Sequence, residues 1–138
     1  MDLSKLHVVI VDDTGSKIRE IRKVLERCGI RDVDDVRNQE ELWKIIYGDV
    51  DNKKKPDLVI TDMQYPLAAG SEVDLRAGHK LIERMEEEHI DIPVIICSEA
   101  NYENPTGTSR GILLGGVLYR EEEDCFFEFQ KLLSRLKT

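Results

Sequence analysis

Four short apolar runs, rich in β-branched residues and without helical period, set the tightest limit on how this chain can fold. They are HVVIV (His7–Val11), LVIT (Leu58–Thr61), PVIIC (Pro93–Cys97) and GGVLY (Gly115–Tyr119). Each is too short for a helix, and none alternates with polar residues. They read as strands covered on both faces, the mark of a parallel sheet. A weaker run, Asp32–Val36, reads as a further strand with an exposed face. Helical patterns lie between the runs. Ile18, Ile21, Val24, Leu25 and Cys28 form one apolar stripe, which Gly29 ends. Asn38 is placed to cap a second helix, with Glu41 three residues on and Leu42, Trp43, Ile45 and Ile46 inside it. Leu81, Ile82 and Met85 mark a third helix, and Phe126, Phe129, Leu132, Leu133 and Leu136 a last one. Strands alternating with helices predict an α/β, doubly wound, five-stranded parallel sheet, with residues 1–138 as a single domain. Right-handed crossovers would gather the C-terminal strand ends at one edge, where open sheets of this kind bind ligands.

Other segments resist regular structure. Between Ser98 and Gly115, Pro105, Gly107 and Gly111 oppose a helix, so the fourth helix is expected to be degraded to a loop with at most a short helical piece. Asp49–Lys55 and Leu67–Ala77 also read as loose. Hydrophobic residues make up 41% and charged residues 35%, a globular balance. The net charge of −8 disfavours phosphate backbones, so no nucleic acid is expected to bind this domain. No run approaches the ~18 apolar residues a membrane span needs. Two aspartates end the first apolar run, which leaves no signal-peptide stretch there. Cys28, Cys97 and Cys125 are far apart, odd in number and without metal-ligand spacing, so they read as small buried apolar groups. Free thiols suit the cytosol, and a cytoplasmic protein is expected. His7, His79 and His89 have no ligand spacing either and are assigned to a strand start and helix faces, without a phosphorelay role.

The chemistry concentrates at strand ends. Asp12 and Asp13 follow the first run, and Asp62 follows LVIT. If those strands are neighbours, the three carboxylates converge. Two unit charges 4 Å apart cost about 4 kcal/mol at an effective dielectric near 20. Either one carboxylate protonates or a cation fills the space. A hard divalent ion with oxygen ligands answers this need, and Mg²⁺ keeps waters that a phosphoryl oxygen can replace. A carboxylate with a free oxygen can then attack activated phosphorus to give an acyl phosphate. The plainer reading of one such Asp is a helix cap or turn residue. An adjacent pair plus a third after a distant strand is less easily explained that way.

In order and spacing, these segments resemble the receiver domain of bacterial two-component response regulators over nearly the whole chain. HVVIVDD resembles the family's opening strand with its acidic pair. PDLVITDMQYP resembles the segment of the phosphoacceptor aspartate, with a proline four positions later, and PVIICS the segment ending in a hydroxyl residue. The resemblance implies a flavodoxin-like fold. Residue by residue it implies Asp62 as phosphoacceptor, Asp13 as a direct Mg²⁺ ligand and Asp12 as a ligand mostly through water. It further implies the backbone carbonyl of Gln64 as a ligand and Ser98 as a donor to a phosphoryl oxygen. The plainer reading of Ser98 is a strand-end hydroxyl bonded to backbone. The implied function is a response regulator that takes the phosphoryl group from a histidine kinase or histidine phosphotransfer protein and switches a protein–protein interaction. In this reading the domain is a phosphoacceptor that assists its own phosphorylation and dephosphorylation, not an enzyme. Its output partner or output domain is unknown.

The chain departs from the family pattern in several places. The family carries a lysine at the end of the last strand, and Arg120 stands at that position. Its guanidinium is larger and planar; it could clamp phosphoryl oxygens in bidentate fashion, or point to solvent, or pair with Glu121, Glu122 or Glu123. Val117 stands where the family often has an aromatic residue, and Glu99 where it has a small one. The loop after Pro66 is longer than in the family, the comparable glycine being Gly78. Such an insertion is thermodynamically cheap and could be a lid, a partner contact or inert decoration. These departures keep open a pseudo-receiver, the same fold used as a phosphorylation-independent protein-binding module. A hydrolase of the haloacid dehalogenase type would need two aspartates separated by one residue, whereas Asp12 and Asp13 are adjacent. FFEFQ on the last helix is better explained as core packing than as a dimer surface, and a homodimer stays open.

Overall fold

Apolar strands with no polar face must be covered on both sides, and the chain arranges this by packing α1 and α4 on one face of the sheet and α2 and α3 on the other. The computed structural model describes residues 2–99 and 112–136. In chain order the elements are β1 (His7–Val11), α1 (Gly15–Arg27), β2 (Asp32–Val36), α2 (Gln39–Ile46), β3 (Leu58–Thr61), β4 (Tyr65–Pro66) and β5 (Val73–Asp74). They continue with α3 (Ala77–Glu87), β6 (Val94–Ser98), β7 (Leu113–Leu118) and α4 (Glu122–Leu133). The five main strands pair in parallel in the order β2-β1-β3-β6-β7. β1, β3 and β6 are buried at every position, as their unbroken apolar sequences require. Residues of alternate parity point to opposite faces. Val8, Ile10, Ile60 and Ile95 join Ile18, Ile21, Leu25, Phe129 and Leu133 in one core layer. Val9, Val11, Val59 and Ile96 join Leu42, Trp43, Leu81, Ile82 and Met85 in the other. This is the doubly wound, flavodoxin-like arrangement.

The helix signals act as expected. The Asn38 side chain accepts from Glu41 N at 2.9 Å and starts α2. Cys28 caps α1, and Gly29 follows with a φ of +92°. The last strand runs from Leu113, earlier than the GGVLY pattern predicts, because a bulge skips Leu114 between the Val94↔Leu113 and Ile95↔Gly115 pairs. The region of the expected degraded fourth helix, Ala100–Gly111, lies outside the described residues. Leu67–Ala77 is mostly bend and turn, as expected, but two contacts fix it: Val73–Asp74 (β5) pairs antiparallel with β4 just before the segment, and the Leu67 carbonyl accepts from Glu40 N at 2.8 Å, which ties it to the start of α2. The lysines of Asp49–Lys55 also have work: Lys53 lies 2.7 Å from Asp34 and Lys54 3.1 Å from Asp32, neutralising the acidic edge strand β2. His7 begins β1, with Nε2 2.8 Å from Asp34 Oδ2. Cys97 and Cys125 are buried and Cys28 half-buried, all three as free thiols. Burial pushes the Cys28 and Cys97 thiols up. Among the described residues, no helix is long and apolar enough to cross a membrane.

A buried polar cluster braces the end of β3 from below. Gln39, the first residue of α2, donates to the Ala77 carbonyl at 3.0 Å and to the Tyr65 hydroxyl at 3.2 Å, and accepts from Trp43 Nε1 at 3.1 Å. The Tyr65 and Thr61 hydroxyls lie 2.9 Å apart, and Thr61 Oγ1 donates to the Asp62 carbonyl at 2.8 Å. Burial holds the Tyr65 phenol far above its ordinary range, so it stays protonated. One amide thereby joins α2, the β3–β4 turn and α3. Gln39→Leu would leave the buried Trp43 indole N–H without its partner, while the Ala77 carbonyl keeps its helical bond within α3. An unpaired buried donor costs roughly 1–3 kcal/mol, and a loss of that size is expected. It should show as a lower urea midpoint with an unchanged slope.

Candidate functional site

The parallel register decides where the acidic residues go. Val11 of β1 pairs with Thr61 of β3, so the next residues, Asp12 and Asp62, leave the sheet side by side at its C-terminal edge. The last ladder bonds hold them there: Asp62 N donates to the Val11 carbonyl at 3.0 Å and Asp12 N to the Val36 carbonyl at 3.1 Å. One carboxylate oxygen from each of Asp12, Asp13 and Asp62 lies within 4.8 Å of the others. Asp12 is 1% exposed and the Asp62 side chain 16%, while Asp13 is open to solvent.

A fourth charge stands among them. Lys17, in the first turn of α1, is 2% exposed. Its Nζ donates to the Cys97 carbonyl on β6 at 2.7 Å, and lies 2.9 Å from Asp12 Oδ2 and 3.2 Å from Asp62 Oδ1. Burial is the strongest single influence on this ammonium and opposes its charge, but Asp12 and Asp62 together outweigh it and hold its pKa above the ordinary lysine value. At Asp62 burial prevails: it pushes the carboxyl up, Lys17 pulls it down, Asp12 pushes it up again, and the net shift is upward. The Tyr119 ring lies beyond, its centroid 5.8 Å from Lys17 Nζ. In the sequence Lys17 is masked by its spacing to Ile21 and Val24, which places it on the apolar stripe of α1. A lone lysine on a buried helix face just after an acidic strand end is the signal that marks it.

The remaining candidates divide by position. Ser98 is buried at the end of β6, next to the carbonyl that holds Lys17, and its own carbonyl accepts from Tyr119 N at 2.7 Å. Gln64, two residues past Asp62, turns its side chain to solvent, and Glu99 is exposed as well. Val117 is fully buried and pairs with Cys97. Arg120 is exposed beside Glu20 and Glu122 in a groove between α1 and α4, and no ion pair among the described residues joins it to Asp62.

The donor set fits a hard divalent cation. Three carboxylates and one ammonium leave a formal charge of −2 in the cluster. Asp12 Oδ1 accepts from Thr14 N at 2.9 Å. Asp12 Oδ2 is buried, and the Lys17 ammonium at 2.9 Å is the group it faces. A buried carboxylate oxygen among oxygen donors with surplus negative charge suits Mg²⁺ or a similar ion.

Comparison with known proteins agrees with this geometry. A family model, the response regulator receiver domain, matches residues 8–110. Chemotaxis protein CheV1 of Helicobacter pylori is 29% identical over 75 residues, covering 51% of this chain and 23% of that protein, so the match spans about a quarter of the relative's length. The Mn²⁺-bound form of response regulator Rcp1 is similar with a TM-score of 0.68 at 18% identity, covering 94% of this chain and 93% of that one. The phosphorylated cyanobacterial phytochrome response regulator RcpA is similar with a TM-score of 0.67 at 20% identity, covering 92% and 90%. The two structures share the fold. With the family match, the sheet order and the acidic edge in agreement, the chain belongs to the response regulator receiver domain family.

Proposed function

We propose that this receiver accepts a phosphoryl group on Asp62 in a Mg²⁺-dependent reaction, from a histidine kinase or histidine phosphotransfer protein, and so switches a protein–protein interaction. The observation that carries this reading is the asymmetry of the Asp62 carboxylate. Oδ1 accepts from Met63 N at 2.7 Å and faces Lys17 at 3.2 Å, whereas no donor among the described residues reaches Oδ2. One oxygen is held and the other is left to act as nucleophile. Oδ2 attacks phosphorus in line. The bond from phosphorus to the donor's ring nitrogen breaks and the nitrogen keeps the electron pair; with acetyl phosphate, acetate leaves instead.

Asp12, Asp13, Asp62 and the Gln64 backbone carbonyl would hold Mg²⁺, which when bound offsets the charge of the phosphoryl oxygens. Ser98, at the end of β6, would donate its hydroxyl to one of those oxygens. The transferred group adds roughly −1.5 to −2 of charge at this edge, which biases the surrounding loops toward another arrangement. Free Cys28, Cys97 and Cys125 suit a cytoplasmic setting, and the net charge of −8 argues against a nucleic-acid surface on this domain.

One observation favours a second reading, the pseudo-receiver: Lys17 already neutralises part of the acidic cluster. Incubation with Mg²⁺ and acetyl phosphate, followed by intact mass, separates the two. A phosphoryl adduct on the wild type that is lost in Asp62→Asn and in chelator is expected. No adduct at high donor concentration would leave the binding module as the function.

The acceptor loop is also clamped from above. Gly78 N donates to the Met63 carbonyl at 3.0 Å, and a Cβ at Gly78 would come within 2.7 Å of the Asp62 carbonyl. Because backbone occupies that space, Gly78→Ala must push α3 and the acceptor loop apart. The expected cost is about 1–3 kcal/mol in stability, read by thermal melting. Displacing Asp62 should also slow acetyl phosphate incorporation by roughly ten- to a hundredfold.

A further inference from the structure

We infer that Lys17 is the cation of the phosphoacceptor site, delivered by α1, and that it does the work for which this chain has no lysine at the end of β7. The inference rests on the proposed phosphorylation of Asp62. It goes beyond that reading by assigning a positioning residue on an element where sequence resemblance places none.

Three observations support it. The first is reach: Lys17 Nζ stands 3.2 Å from Asp62 Oδ1 and is the only cation among the described residues paired with that carboxylate. By holding Oδ1 it leaves Oδ2 as the oxygen facing outward. The second is anchorage. The 2.7 Å bond to the Cys97 carbonyl fixes the ammonium one residue before Ser98, beside the place a phosphoryl group on Asp62 would occupy. The third is the placement of Arg120, the residue expected to supply the charge, which is exposed beside Glu20 and Glu122 in the α1–α4 groove.

A buried ammonium among metal-binding carboxylates acts in two opposing ways. It repels an incoming cation, because like charges a few ångströms apart are unfavourable. It attracts a phosphoryl group, because charge-assisted bonds to phosphate oxygens are strong. A side chain needed only for folding would not separate these two effects, so opposite signs in one variant identify the role.

The test uses the whole chain, with Mg²⁺ alone and with Mg²⁺ plus beryllofluoride, each titrated by calorimetry. Lys17→Met should bind Mg²⁺ as well as the wild type or more tightly, and bind beryllofluoride about tenfold or more weakly. Its melting temperature should depend more steeply on Mg²⁺, since the ion replaces the missing positive charge. Lys17→Gln, which keeps a donor for the Cys97 carbonyl without the charge, should show the same split, and it serves if Lys17→Met does not fold. Arg120→Ala should match the wild type in both titrations. Equal beryllofluoride affinity in the Lys17 variants, parallel losses of both ligands, failure of both variants to fold in saturating Mg²⁺, or a loss confined to Arg120→Ala would each overturn the assignment. A wild type that ignores beryllofluoride would instead remove the phosphoacceptor reading on which it rests.

Discussion

Lys17 is placed where an ammonium is stable only because of its neighbours. Removing it from water costs several kcal/mol, and a buried pair returns that cost only with close geometry and further hydrogen bonds. Both conditions are met, by Asp12 Oδ2 at 2.9 Å, Asp62 Oδ1 at 3.2 Å and the Cys97 carbonyl at 2.7 Å. These partners sit at the ends of β1, β3 and β6, so one side chain from α1 draws three strand ends together. The same contact reduces the repulsion that would otherwise force the carboxylates apart or protonate one of them. Fold and site thus share a single electrostatic knot.

The rest of the architecture serves that knot from a distance. Behind Asp62, the Gln39–Tyr65–Thr61 cluster fixes the end of β3 through directional bonds. In front, the first turn of α3 carries Gly78, whose missing side chain allows the helix to close against the acceptor loop. At the sheet's edge, Lys53 and Lys54 answer the acids of β2, which keeps a strand reading DVDDV compatible with pairing. The β4–β5 hairpin is bonded to the start of α2 through the Leu67 carbonyl and Glu40 N.

The ammonium paired with Asp62 comes from α1. Coulomb attraction depends on separation and surroundings, not on which element supplies the charge. An ammonium rising from α1 can therefore stand beside Asp62 as one from the last strand would. Asp12 Oδ2 is buried with Lys17 2.9 Å away, among carboxylates whose surplus negative charge suits a divalent ion.

Local chemistry made much of the molecule legible before any coordinates. Unbroken β-branched runs demand a sheet covered on both faces, Asn38 and Gly29 mark helix ends, and aspartates directly after β1 and β3 announce an acidic edge once those strands are neighbours. These signals lie within a few residues and follow from periodicity, capping and charge. The tertiary structure alone decided which cation enters the cluster. Arg120 and Lys17 are both basic residues near strand ends in the sequence, but the crossover of α1 carries Lys17 inward while the turn into α4 leaves Arg120 in solvent. It likewise decided that the loop after Pro66 is tied to α2, because the Leu67–Glu40 bond joins segments distant in the chain. Burial and long-range partners are properties of packing, and no local pattern of residues encodes them.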